Sequence, residues 1–247
     1  MKDIRHNEIL ARVRASKAVS VAELAAATHS SIATIRRDLR ELDDEGRLRR
    51  THGGAIVTEG DLPFSDVETV NRAEKERIAR AAAATIADGQ SVMLDIGTTT
   101  AQLARLLAGR PITVITPSLA VYDALRDDRT TRLVLLPGDY DPVYRCVLGP
   151  LTVECMRMVH VDRAFLGVSG IGETGDLRDT TLGQIPIKQA MMDVSDHVTV
   201  LADASKFPGT GAGLIAPRRV SSVITDALPS AVVSAALAAR GIEVTVA

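Results

Sequence analysis

The sequence predicts an α/β protein in two parts, a small helical head and a larger domain built on an open, mostly parallel sheet. Three observations carry that prediction. Charge changes sign near residue 57: residues 1–57 hold 11 Lys/Arg against 8 Asp/Glu, and the remainder 18 against 23, so a total of −2 divides into +3 and −5. Three short helical patterns fill the first part. In the second, short runs rich in Val, Ile and Leu alternate with helical segments, as strands buried on both faces do.

In the head, Ile4, Ile9, Leu10 and Val13 form an apolar stripe on a first helix. Ser20 is placed to cap a second, Val21 to Ala27, with Leu24 inward. His29-Ser30-Ser31 breaks the pattern, and Ser31 is placed to cap a third helix. There Ile32, Ile35, Leu39 and Leu42 are spaced to share one face, while Arg36, Arg37 and Arg40 project from the opposite one. Gly46 ends the helix, and Arg47 to Thr51 reads as a short strand before His52-Gly53-Gly54. Residues 58–71 follow as a linker, turn-rich and without sustained periodicity at first.

From residue 72 onward, Ala73 to Ala87 is a strong helical pattern closed by Asp88-Gly89. The apolar runs are 91–96, 112–116, 132–136, 163–168, 198–202, 220–225 and 242–246. Composition is that of an ordinary folded chain, 46% hydrophobic and 24% charged. Aromatics make up 2% with no Trp, which argues against single-strand binding on stacked rings. Cys146 and Cys155 are too few and too isolated for a metal cluster or a disulfide framework. No metal or cofactor is expected. The charged N-terminus lacks an apolar signal core and no run reaches a membrane span, so the expected compartment is the cytoplasm.

A short helix pair leading to a helix with a cationic outer face has the layout of a helix-turn-helix. Duplex phosphates demand long cations, and guanidinium groups also pair with guanine edges. Asp38, Glu41, Asp43, Asp44 and Glu45 sit toward the helix's C-terminal half, so groove contact is expected from the first two turns. Charge clusters are more often merely solvated, and three arginines alone do not decide the matter.

The sharpest feature of the second part is Asp95-Ile96-Gly97-Thr98-Thr99-Thr100, between a strand and a helix. Gly97 permits a tight turn, and threonine hydroxyls with helix N-terminal amides suit a phosphate or carboxylate. Its glycine spacing fits neither a dinucleotide fingerprint nor a Walker loop. Other polar groups follow strands: Gly138 in Pro137-Gly138-Asp139, Gly167 in Gly167-Val168-Ser169-Gly170, Asp203 and Lys206 in Asp203-Ala204-Ser205-Lys206, and Thr225-Asp226. Open α/β sheets bind ligands beyond such strand ends.

Thr34-Ile35-Arg36-Arg37-Asp38-Leu39, followed by Leu42, Gly46, Leu48, Arg50 and His52-Gly53-Gly54-Ala55, resembles the winged-helix head of the DeoR family of bacterial transcription regulators. The resemblance is collinear over the whole chain. It implies that Ser31, Thr34, Arg36, Arg37 and Arg40 contact operator DNA, with Asp38 orienting neighbouring arginines; Arg50, His52 and Gly53, in the segment 49–53, are expected to form a wing against the DNA backbone. Asp95 to Thr100, Asp162 to Gly167, Lys188, Asp203 to Lys206 and Thr225-Asp226 resemble that family's sensor domain, whose fold is similar to that of sugar-phosphate isomerases and deaminases. This implies a phosphorylated sugar or polyol effector held at Asp95, Gly97, Thr98, Thr99, Thr100, Gly138, Gly167, Lys188, Asp203 and Lys206. The expected assembly is a homo-oligomer, dimer or tetramer, whose C-terminal domain presents paired heads to repeated sites.

The chain departs from the family pattern at Ser30, at Pro117, at Pro137, at Ala204, and before Lys188. There Leu182-Gly183-Gln184-Ile185-Pro186 replaces the usual acidic residues and leaves no obvious carboxylate beside the lysine. The expected function is a DNA-binding regulator, a repressor, answering to a phosphorylated metabolite. The alternatives are an isomerase- or deaminase-like enzyme with a DNA-binding head, and a DNA-binding oligomer that needs no effector. An enzyme needs a placed proton-transfer group. His197, at the start of an apolar strand, reads as an edge residue instead.

Overall fold

Helices α1 (Lys2–Ser16), α2 (Val21–Ala27) and α3 (Ile32–Asp44) enclose the core of the head in the computed structural model. It describes residues 2–16, 18–44, 48–51, 53–56, 64–209 and 211–247. Ile9, Leu10, Val13, Leu24, Ile35, Leu39, Leu42, Leu48 and Ala55 fill that core. Strands β1 (Ala18–Ser20), β2 (Arg49–Arg50) and β3 (Gly54–Ile56) form an antiparallel sheet in the order β1-β3-β2. The β2–β3 hairpin is the wing. Its turn is closed by the Thr51 amide donating to Gly54 O at 3.0 Å. A Cβ on Gly54 would lie 2.1 Å from Val19 O, so only glycine lets the wing lie this close to β1.

The chain forms two compact units, Met1–Asp66 and Val67–Ala247. Residues 57–63, at the start of the expected linker, lie outside the described residues, as do Gly46 and Arg47. From residue 64 the segment is helical: α4 covers Phe64–Thr69. Helix α5 covers Arg72–Ala84, three residues short of the expected end at Ala87. The Thr85 hydroxyl donates back to Ala82 O at 2.7 Å and closes the last turn early.

The larger unit continues as β4 (Ser91–Leu94), α6 (Thr98–Leu107), β5 (Thr113–Thr116), α7 (Leu119–Leu125) and β6 (Arg132–Leu135). Then come β7 (Asp139–Asp141), β8 (Cys146–Leu148), α8 (Pro150–Arg157), β9 (Val161–Gly167), β10 (Gly170–Ile171) and β11 (Leu177–Asp179). The chain ends through α9 (Gln184–Asp193), β12 (Ser195–Leu201), β13 (Gly213–Ile215), β14 (Val220–Thr225), α10 (Ala231–Ala238) and β15 (Glu243–Val246).

Each of the seven apolar runs is a strand of one sheet, ordered β15-β14-β12-β9-β4-β5-β6 and parallel throughout. Successive residues point to opposite faces, and both faces are covered. Met93, Ala164, Leu166, Val198 and Val200 pack with Ile187, Met191, Val233 and Leu237 of α9 and α10. Val92, Leu94, Val114 and Phe165 pack with Ile78, Leu103, Leu107 and Val121 of α5, α6 and α7. Strand order reverses between β4 and β9. The carboxyl ends of those two strands, Leu94 and Gly167, therefore flank the topological switch point where such sheets hold ligands.

Candidate functional site

The head's site begins with capping. Ser20 and Glu23 form a reciprocal capping box at α2: the Glu23 amide donates to Ser20 Oγ at 3.2 Å, and the Ser20 amide to Glu23 Oε2 at 2.8 Å. His29 takes a φ of +51° between α2 and α3, turning the chain sharply. The Thr34 amide donates to Ser31 Oγ at 3.1 Å, which seats the first turn of α3.

Ile35, Leu39 and Leu42 are buried as the spacing predicts. Ile32 is not: it is 49% exposed, because the first turn of α3 stands clear of the core. The fourth inward position is Asp38, fully buried. It accepts from Arg5 Nε at 2.5 Å and Arg5 Nη2 at 3.1 Å, while His6 Nε2 lies 3.4 Å away. Asp38 thus holds α1 rather than the arginines beside it in sequence. Burial works against its carboxylate, but Arg5 and His6 outweigh burial and hold its pKa below the usual range. His6, Asp38 and Glu41 could together face a cation, yet Arg5 takes the first carboxylate and Lys2, at 2.7 Å, the second.

With Asp38 turned inward, Arg36, Arg37 and Arg40 are all exposed, and Ser31 and Thr34 lie at the helix's leading end. Arg50 and Gly53 are exposed on the wing, and His52 lies outside the described residues. The field on this face is that of exposed guanidinium groups carried by one rigid helix. Such a surface matches duplex phosphates and base edges.

In the larger unit, Asp95, Gly167 and Lys188 meet at the switch point. Lys188, one turn into α9, is 2% exposed. Its ammonium contacts Asp95 Oδ2, donates to Gly167 O at 2.8 Å and lies 3.5 Å from Asp179 Oδ2. The Gly167 amide donates to the same Asp95 oxygen at 3.0 Å. The expectation of no carboxylate beside Lys188 is therefore wrong. Asp95 and Asp179 come from distant segments, which local spacing cannot reveal. Burial would lower the Lys188 pKa, but the two carboxylates reverse this and raise it. Burial raises that of Asp95 in spite of Lys188.

Gly97 opens α6 with φ +126° and ψ 168°, a conformation essentially reserved for glycine. Thr98 and Thr100 are buried, Thr99 half-buried, and the Thr100 hydroxyl donates to Gly97 O at 3.0 Å. Asp203 is buried after β12, accepting from the Ser205 amide at 3.0 Å and from Asn71 Nδ2 at 3.1 Å. Lys206 is half-buried in the short 3-10 turn Ala204–Lys206 that follows. Gly138 has a packing reason: a Cβ there would lie 2.0 Å from Thr152 Oγ1 and 2.6 Å from Leu148 O. A cavity of about 470 Å³ lies elsewhere, lined by Leu119, Asp123, Leu135, Tyr140, Arg145 and Val147, and none of the expected effector residues lines it.

Sequence reasoning missed Asp179, Asn71 and the polar role of Gln184. Gln184, at the start of α9, is 1% exposed and its amide nitrogen reaches Cys146 Sγ at 3.5 Å. Burial, helped by Asp141, pushes the Cys146 thiol up to about 12. His197 is exposed on β12, away from any role as a base in the cluster.

Fold and sites together define a class: a helix-turn-helix DNA-binding head joined to an α/β sensor unit. Residues 5–60 match the DeoR-like helix-turn-helix domain, and residues 70–227 the DeoR C terminal sensor domain. The chain belongs to the DeoR family of transcriptional regulators. It is 33% identical over 230 residues to the glycerol-3-phosphate regulon repressor of Escherichia coli, covering 91% of each chain. It is 34% identical over 229 residues to the transcriptional repressor AccR of Agrobacterium fabrum, covering 90% of this chain and 88% of that one. Ribose 5-phosphate isomerase A from Methanocaldococcus jannaschii is a more distant structural neighbour, with 22% identity, a TM-score of 0.42 and coverage of 55% and 54%. That likeness is too slight to bear on activity. Among the described residues, no helix is long and apolar enough to cross a membrane.

Proposed function

We propose that this protein is a repressor whose residues 1–57 bind operator DNA and whose residues 72–247 bind a phosphorylated sugar or polyol, changing operator affinity. On this reading Ser31, Thr34, Arg36, Arg37, Arg40, Arg50, His52 and Gly53 meet the duplex. Asp95, Gly97, Thr98, Thr99, Thr100, Gly167, Lys188, Asp203 and Lys206 surround the effector, with Gly138 shaping a neighbouring loop. The phosphate lies on the amides and hydroxyls that open α6. A homo-oligomer pairs the heads, and effector binding favours a head arrangement mismatched to half-site spacing.

The burial of Asp38 against Arg5 carries the DNA half of the reading, because it leaves the arginine face of α3 wholly outward. The name of the Escherichia coli relative, a glycerol-3-phosphate regulon repressor, supports an anionic polyol as effector. Sensing rather than turnover is supported by Lys188, which is buried and engaged by two carboxylates rather than poised to move a proton.

Operator binding by fluorescence anisotropy tests the DNA half. Arg36→Ala weakens binding and lowers the slope of log K against log salt by about 1. An unchanged slope removes α3 from the interface. For the sensor, glycerol 3-phosphate raises the melting temperature of the wild type, and Thr98→Asp abolishes that rise by repelling the phosphate. A full response in Thr98→Asp sinks the phosphate-turn assignment.

A further inference from the structure

Two buried acceptors in the switch-point cluster, Gln184 Oε1 and Asp95 Oδ1, make no well-formed hydrogen bond among the described residues, although the Ile96 amide lies against the Asp95 carboxylate. Such atoms are costly to leave unpaired. The two belong to one neighbourhood: Gln184 lies one turn before Lys188 on α9 and touches Cys146, whose thiol feels both Asp95 and Lys188.

Lys188 cannot satisfy either atom. Its ammonium has three N–H groups, and Asp95 Oδ2, Asp179 Oδ2 and Gly167 O supply three acceptors for them. The Gln184 amide nitrogen is spent on Cys146 Sγ. What the cluster lacks is a donor, and the donors a sugar or polyol brings are hydroxyl groups. A carboxylate at position 184 would add a third negative charge beside Asp95 and Asp179. The neutral amide accepts a hydroxyl without repelling an anion nearby.

We infer that Gln184 is a specificity-determining residue of the sensor: its Oε1, with Asp95 Oδ1, accepts hydroxyl groups of the effector and so selects a phosphorylated polyol over a bare phosphate. The inference rests on the effector reading above and assigns a second end to that site. The anion is held at α6 and the hydroxyls at α9.

The test uses the full chain with glycerol 3-phosphate and inorganic phosphate as probes, both titrated by calorimetry. Gln184→Leu removes the acceptor, and Gln184→Met does so with an unbranched side chain should the leucine disturb α9. Glycerol 3-phosphate binds either variant about tenfold more weakly, while inorganic phosphate binds within about twofold of wild type. The melting temperature changes little, since removal of an unpaired buried acceptor offsets loss of the long contact with Cys146. Wild-type affinity for glycerol 3-phosphate in both variants overturns the assignment. So does an equal loss of both probes, which marks a structural role. Wild-type protein that binds neither probe overturns the effector reading and this inference with it, a result distinct from either of those.

Discussion

Asp38 shows how one carboxylate settles which side of α3 faces outward. It is buried on the inner face with Arg5 in a two-point pair, so removing the carboxylate leaves a guanidinium facing a hole. Arg5 keeps part of its surface in water, so breaking the pair costs less than breaking a fully buried one. Asp38→Ala is expected to lower the stability of the head, measured by urea unfolding followed by circular dichroism. The pair also fixes a pH dependence. Because the native pKa of Asp38 is depressed, its stabilisation is fully present above the unfolded value of about 3.9. It is lost as pH falls through the native value. Melting of the head should therefore drop steeply below about pH 4, and less so in Asp38→Asn. Asp128 gives a cleaner titration. The Gly109 amide, and the Thr130 amide at 2.9 Å, donate to its exposed carboxylate and bring it down to about 2. Carbon-detected NMR should find its midpoint near that value, and a midpoint close to 4 would contradict these two bonds.

At the scale of elements, the Gly97 turn joins a glycine-only backbone conformation to the proposed phosphate site. A Cβ at Gly97 meets nothing closer than Thr100 Oγ1 at 3.8 Å, so space does not forbid alanine. Conformation does: φ +126° with ψ 168° costs a non-glycine residue about 1–3 kcal/mol. Gly97→Ala is expected to lose that much stability in thermal denaturation and to weaken phosphate binding, because relaxing the strain turns the α6 amides away. This turn was legible in the sequence, as were the seven strands of the sheet. Strands buried on both faces need continuous apolar runs, and that requirement is written locally. The antiparallel pieces β7, β8, β10, β11 and β13 were not legible. They are two or three residues long, too short for any period to register. The site divides in the same way. Asp95 and Gly167 stand at strand ends and could be read there, whereas Lys188, one turn into α9, was legible only through the family resemblance. Asp179, 84 positions along from Asp95, reaches Lys188 only through the packing of β11. Ile32 fails for a related reason: helical spacing gives its direction but not how far the core extends along α3.

For the whole molecule, the division of charge into +3 and −5 separates two tasks, and regulation requires that they communicate. The larger unit holds a short chain of contacts suited to that. Asn71, the last residue of the segment read as a linker, donates from Nδ2 to Asp203 Oδ1, so an expected effector residue is tied to the start of α5. Lys75 Nζ then donates to Val67 O at 2.6 Å, and Glu68 pairs with Arg105 at 2.5 Å on α6, the helix whose first turn carries the threonines proposed to hold phosphate. On the proposed effector site, ligand drawn onto Asp203 and α6 acts on both ends of the segment 67–71, which leads back to the head. Coupling of this kind is worth about 5- to 150-fold in affinity where effector and DNA are linked. Asn71 has φ +51°, so Asn71→Gly keeps the backbone comfortable while removing the side-chain bond. Glycerol 3-phosphate should bind Asn71→Gly as it binds wild type, and operator affinity without effector should be unchanged. The change in operator affinity on adding effector should shrink to about twofold or less, well below the usual range of coupling. Anisotropy titrations with and without glycerol 3-phosphate measure both quantities on one sample. A full response in Asn71→Gly would mean that the signal leaves the sensor by contacts other than the Asn71–Asp203 bond.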